Sequence, residues 1–199
     1  MKRSQQEKQQ THQRIVKNAA QQIRVEGVNG VGIADLMGQA GLTHGGFYAH
    51  FRNKDALLAE ICHTGIAETL ERLTQAIDNA PANEKISALL DAYLSVYHRD
   101  NPATGCIMPT LAADVARRPE EVRTAFTEGY EKLLQLVVSV LPEDTDEQRY
   151  DRAIALLSEM VGSLLLSRAV NDPALSERIL RSNRDYAIQA FGKTSMENE

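Results

Sequence analysis

Apolar residues recur at three- and four-residue intervals along almost the whole chain, the period of an amphipathic helix. Over residues 11–26, Ile15, Ala19 and Ile23 form one stripe with Val16 and Ala20 beside it, and Gly27 is placed to end the helix. Residues 33–40 predict a short helix with Ile33, Leu36, Met37 and Ala40 inward, closed by Gly41. Thr43 can cap a second short helix reaching about residue 50, and Asn53 a long one over residues 54–79. Further helices are expected over 84–99, 106–117, 119–140 and 146–170, and from Asp172-Pro173 to about Phe191. The Gln-rich stretch 5–10 reads as a disordered arm, and the tail 192–199 as frayed. No segment alternates apolar and polar residues as a strand would, so the pattern predicts an all-α fold of about nine helices.

Length and composition narrow this picture. The 199 residues, 43% of them apolar, suit one ordinary domain or a small one with a larger partner, and argue against wholesale disorder. The net charge of −5 hides an asymmetry: residues 1–54 carry +5 and the remainder −10. A basic amino-terminal quarter on an acidic body suits a chain whose first part meets a polyanion. No apolar run approaches the roughly 18–20 residues of a bilayer span. The polar start lacks an apolar signal core, so a cytoplasmic location is expected. Cys62 and Cys106 make no disulfide framework, and His63 and His98 have no partner at metal-ligand spacing, so neither metal nor cofactor is expected. The sequence has no phosphate loop, nucleophile elbow, HExxH or convincing carboxylate pair, which speaks against an enzyme.

Residues 33–51 carry the functional signal. A short helix, a tight turn at Gly41 and a second short helix make a helix-turn-helix, which sets the second helix steeply enough to enter a major groove. Tyr48, His50, Arg52 and Lys54 at or after that helix offer groups that suit phosphate oxygens. The run Gly41-Leu42-Thr43-His44-Gly45-Gly46-Phe47-Tyr48-Ala49-His50-Phe51, followed by Lys54-Asp55-Ala56-Leu57-Leu58, is more specific. With the preceding Ile33-Ala34-Asp35-Leu36, it resembles the recognition-helix signature of the tetracycline-repressor (TetR) family of transcriptional regulators. The close resemblance covers about residues 11–60. It implies an all-helical homodimer: a helix-turn-helix domain over 1–53 that binds double-stranded DNA, and a ligand-binding and dimerisation domain over 54–199. It also implies that Phe47 and Phe51 fill the core of the small domain. Tyr48, His50 and Lys54 would touch the DNA backbone, and Thr43 and His44 would approach phosphates or bases. The family usually has Lys where His44 stands and a larger residue where Gly46 stands. Contacts at Gly45 and Gly46 would therefore involve backbone or van der Waals surface.

In the acidic remainder, Tyr93, Tyr97, Met108, Phe126, Tyr130 and Met160 are candidates to line a pocket for a small-molecule effector, or else to fill core. Cys106 follows Gly105 at an expected helix start, where the helix dipole can activate a thiol. It reads either as a sensor of oxidants or electrophiles or as a packed apolar residue. The stretch 153–166 is apolar enough to be buried on two sides, which favours a dimer interface shared with 174–191. The expected function is a ligand-responsive regulator, usually a repressor. The alternatives are thiol-based sensing through Cys106, or a helical protein that binds DNA without selecting a sequence.

Overall fold

The computed structural model describes residues 5–142 and 145–192. Among them are nine α-helices, three short 3₁₀ segments and no strand. The helices are α1 (Gln5–Gly30), α2 (Ile33–Gln39), α3 (Lys54–Asp78), α4 (Lys85–Tyr93), α5 (Val96–Asp100), α6 (Met108–Val115), α7 (Glu120–Val138), α8 (Asp146–Ala169) and α9 (Pro173–Phe191). They gather into two compact units rather than following one cut in the chain. Of the described residues, the first unit holds those up to Ala67 together with Pro102–Gly129; the second holds Glu68–Asn101 together with those from Tyr130 on. The boundary expected after residue 53 marks the start of α3.

In the first unit, α1 buries the expected stripe of Ile15, Val16, Ala19, Ala20 and Ile23. It kinks at Gly27, whose φ of 73° lies in the left-handed region that glycine enters without strain, and residues 28–30 add a last turn before the link to α2. Its other end differs from expectation. Residues 5–10 extend the helix instead of forming an arm, and their Gln, Glu and Lys side chains are all good helix formers. Helix α2 buries Leu36 and Met37, and Ile33 lies half-exposed. Gly41 then turns at φ 69°, and the Leu42 N–H closes onto Met37 O at 2.8 Å. Asn53 caps α3 as expected, its Oδ1 accepting from the Ala56 N–H at 2.8 Å.

One buried polar group of this unit was not foreseen. Arg24 belongs to the basic head by sequence, yet it is buried. It donates to Ala103 O at 3.2 Å and Gly65 O at 3.3 Å, and Thr110 Oγ1 donates to its own carbonyl. A Cβ on Gly65 would come within 2.9 Å of the guanidinium, so glycine is what lets α3 pass this close.

In the second unit, α8 and α9 form an antiparallel pair: Ser176 Oγ donates to Ser167 O at one end, and Arg152 to Phe191 O at the other. Asp172 caps α9 through the Ala174 and Leu175 N–H groups, with Pro173 in its first turn. The single helix expected over 84–99 is two. Leu94, at ψ 50°, leaves the helix, and Ser95 Oγ caps the short α5 through the His98 N–H. The buried His98 ring crosses Tyr93 edge-on and donates from Nδ1 to Tyr93 O at 2.7 Å. Arg168 spans from α8 to His98 O and Arg99 O at 2.6 and 3.1 Å. The expected frayed tail lies, beyond Gly192, outside the described residues.

Candidate nucleic-acid interface

The segment after Gly41 departs from the expected α-helix: His44–Ala49 is a 3₁₀ segment of six residues. The chain makes the tighter i→i+3 bonds there, Gly46 N–H to Thr43 O and His50 N–H to Phe47 O, both 2.9 Å. Thr43 precedes the segment in extended conformation, and its hydroxyl makes no capping bond. The segment is anchored by Phe47, which is fully buried, and by the buried Phe51, with ring centroids 5.4 Å apart. His12 of α1 stacks on Phe51 at 4.6 Å and hydrogen-bonds Glu60 of α3. The back of the segment is thus held rigidly.

Its front carries four of the expected residues. Thr43, His44 and Gly45 are exposed, and Tyr48 is 60% exposed with its ring edge-on to His44 at 6.1 Å. A Cβ on Gly45 would meet nothing within 4 Å, so the bare backbone there faces open space. All four are open to solvent. His50 lies half-buried beside the His12 and Phe51 rings.

Lys54, expected at a phosphate, is engaged within the head itself. Its ammonium donates to Val28 O and Val31 O, each at 2.6 Å, and so ties down the loop between α1 and α2. Burial, then the neighbouring Arg118 charge, holds its pKa below the usual lysine value against the pull of Asp55 and Asp114. Arg52 pairs with Glu121 at the start of α7. With Arg24 buried, the described cations exposed on α1 are Lys8, Arg14 and Lys17. The formal +5 of the head therefore overstates what can face a polyanion.

The expected effector contacts divide between the units. In the first, Cys106 and Met108 are fully buried just before and at the start of α6, and Phe126 is partly exposed on α7. In the second, Tyr93 is fully buried, as is Met160, Tyr130 is partly exposed, and Tyr97 stands 69% exposed at the surface. Tyr97 therefore fills no core. Cys62 on α3 is also buried, and burial pushes its thiol up to about 12. Its thiolate, the species that alkylates, is therefore essentially absent in the folded chain at ordinary pH. Iodoacetamide at pH 8 is expected to leave Cys62 unmodified until denaturant is added. Native modification of Cys62 within minutes, read by mass spectrometry, would contradict this placement.

Comparison with known proteins bears directly on this arrangement. Residues 15–61 match the family described as "Bacterial regulatory proteins, tetR family", and residues 82–182 match the "Tetracyclin repressor-like, C-terminal domain". The chain belongs to the TetR family. It is a DNA-binding transcriptional regulator, and the resemblance read from residues 41–58 is accordingly a family relation. The HTH-type transcriptional repressor NemR of Escherichia coli is 25% identical over 133 residues, 66% of this chain and 67% of that one. An uncharacterized HTH-type transcriptional regulator of Lactococcus lactis is 23% identical over 189 residues, 92% and 94% of the two chains. Among solved structures, the reduced form of E. coli NemR superposes with a TM-score of 0.76 at 20% identity, covering 90% of this chain and 96% of that one. A TetR regulator from Legionella pneumophila gives 0.75 at 21%, covering 96% and 100%. At these identities the two share its fold. No described helix of this TetR-family chain is long and apolar enough to cross a membrane.

Proposed function

We propose that this regulator is a cytoplasmic repressor that binds a near-palindromic duplex site as a homodimer and is released by a small molecule, without catalysing a reaction. The observation that carries the reading is the exposure of Thr43, His44, Gly45 and Tyr48, backed by Phe47 and Phe51. A six-residue segment reads too few base pairs to select a site alone, so two copies in successive major grooves are required. Helix α8 supports the second copy. One side of it is buried (Leu156, Met160, Leu164), while Ile154, Leu165 and Leu166 on the other are exposed, Leu166 at 56%. Leu175 and Tyr186 of α9 are exposed as well. The effector, met by the acidic carboxy-terminal part, shifts the equilibrium through unequal affinity for the DNA-competent and incompetent states.

The test is selection of bound duplexes from a random pool, followed by release with candidate ligands. A near-palindromic consensus is expected, bound with steep salt dependence. Equal affinity for selected and random duplex would instead support the non-selective scaffold. Tyr48→Phe, at a residue assigned to phosphate, is expected to weaken selected and random DNA by similar factors. His44→Ala is expected to change the selected bases. A Tyr48→Phe protein with an altered consensus would reverse these two assignments. Thiol sensing through Cys106 is tested in parallel by comparing electrophile-triggered DNA release in wild type and Cys106→Ser. Release that persists in the variant leaves Cys106, fully buried here, with packing alone.

A further inference from the structure

Two cations grip the loop that leads into the helix-turn-helix. Lys54 holds the backbone of that loop through Val28 O and Val31 O. Arg118, in the turn between α6 and α7, reaches the turn that follows the Gly27 kink: its Nη2 donates to Asn29 Oδ1 at 3.2 Å. Its Nη1 lies 3.5 Å from Asp55 Oδ1 at the start of α3. The Arg118 side chain is only 23% exposed and that of Asp55 26%, so this pair is partly shielded from water. Arg117 is taken up by Asp114, which leaves the two adjacent arginines with separate tasks. Three residues on, Glu121 pairs with Arg52, which follows the 3₁₀ segment. Residues 118–121 thus touch the head at both ends of its reading elements: the loop entering α2 and the turn leaving His44–Ala49.

We propose that Arg118 is a positioning residue for DNA reading: through Asn29 and Asp55 it sets, from outside the helix-turn-helix, the angle at which α2 presents the 3₁₀ segment to a duplex. This rests on the sequence-selective reading of the previous subsection. Arg118 lies in the part of the chain matched to the carboxy-terminal domain, far in sequence from the head match over 15–61. Its contacts nevertheless fall inside the compact unit that contains the head. The geometry gives Arg118 two acceptors whose separation it fixes. Asn29 moves with the loop and Asp55 with α3, so a rigid guanidinium fork spanning both restricts their relative motion more than a flexible ammonium would.

The experiment measures affinity for the selected duplex and for random duplex across a salt series, in the full-length protein, for wild type, Arg118→Ala, Asn29→Ala and the double variant. Arg118→Ala and Asn29→Ala are each expected to lose about tenfold for the selected duplex and little for random DNA, and the double variant no more than either single. The salt slope should stay at the wild-type value, because a positioning residue releases no counterion. Arg118→Lys should restore only part of the loss. A slope reduced by about one in Arg118→Ala would make it a phosphate contact and overturn the proposal. So would losses that add in the double variant, or equal losses on selected and random DNA with a lowered melting temperature. A wild type without selectivity would overturn this proposal and the repressor reading together. Selectivity that survives all three variants would overturn this proposal alone.

Discussion

Replacing Phe47 by alanine is expected to destabilise the head by about 3–5 kcal/mol, the usual cost of removing a buried aromatic ring. The ring has no exposure, and it lies within 5.4 Å of both Phe51 and Tyr48, centroid to centroid. Nothing else in the His44–Ala49 segment is buried. The segment has no cap from Thr43 and is too short to hold itself. Without the ring it should lose its fixed orientation, and binding to the selected duplex should disappear with it. Denaturant unfolding followed by circular dichroism gives the first quantity, and titration with labelled duplex the second. Tyr48→Ala is the control: it removes an exposed ring and should weaken DNA binding with a much smaller stability change. A Phe47→Ala protein of wild-type stability would mean that the segment is held by its backbone bonds alone.

The second large effect concerns the outward side of α8. Placing a charge there, Leu166→Arg, should turn a dimer at micromolar concentration into a monomer. Within one subunit the site is 56% exposed, so the fold itself tolerates the change. Buried in a second copy's interface, the arginine would lose its hydration without a partner to offset the loss. Loss of bivalency should lower affinity for the near-palindromic site by about 10²–10⁴-fold, while a single half-site loses little. Sedimentation velocity reads the first outcome and half-site against full-site titration the second. A Leu166→Arg protein that stays dimeric would move the interface away from this face of α8.

Much of the fold was legible because its determinants are local. The capping residues Asn53 and Asp172, the breaks at Gly27 and Gly41, and the stripe of α1 each act within four residues of where they stand. The break at Leu94 was missed because the apolar period runs straight through it; it is stabilised by Ser95 and the ring of His98, which no periodicity reports. The pattern over residues 43–50 predicts an α-helix, and its 3₁₀ form is a difference that apolar spacing over six residues does not report. At the candidate interface the sequence located the exposed front, Thr43, His44, Gly45 and Tyr48. It did not show the partners of the cations. Arg24, Arg52 and Lys54 look alike as charges in a basic head, yet their partners sit 79, 69 and 23 residues away. Only the tertiary structure brings such distant partners together.

The 3₁₀ form of the reading segment has a consequence for how mutations there will combine. With three residues per turn, side chains at i and i+3 eclipse one another instead of fanning around the axis. Gly45 and Tyr48 therefore stand in one row, a bare step beneath a tall ring. A Cβ at position 45 meets nothing within 4 Å, the tyrosine included, so only a longer side chain introduced there would reach the ring. The two positions then act as one letter of the reading code, and their substitutions should be strongly non-additive in a double-mutant cycle.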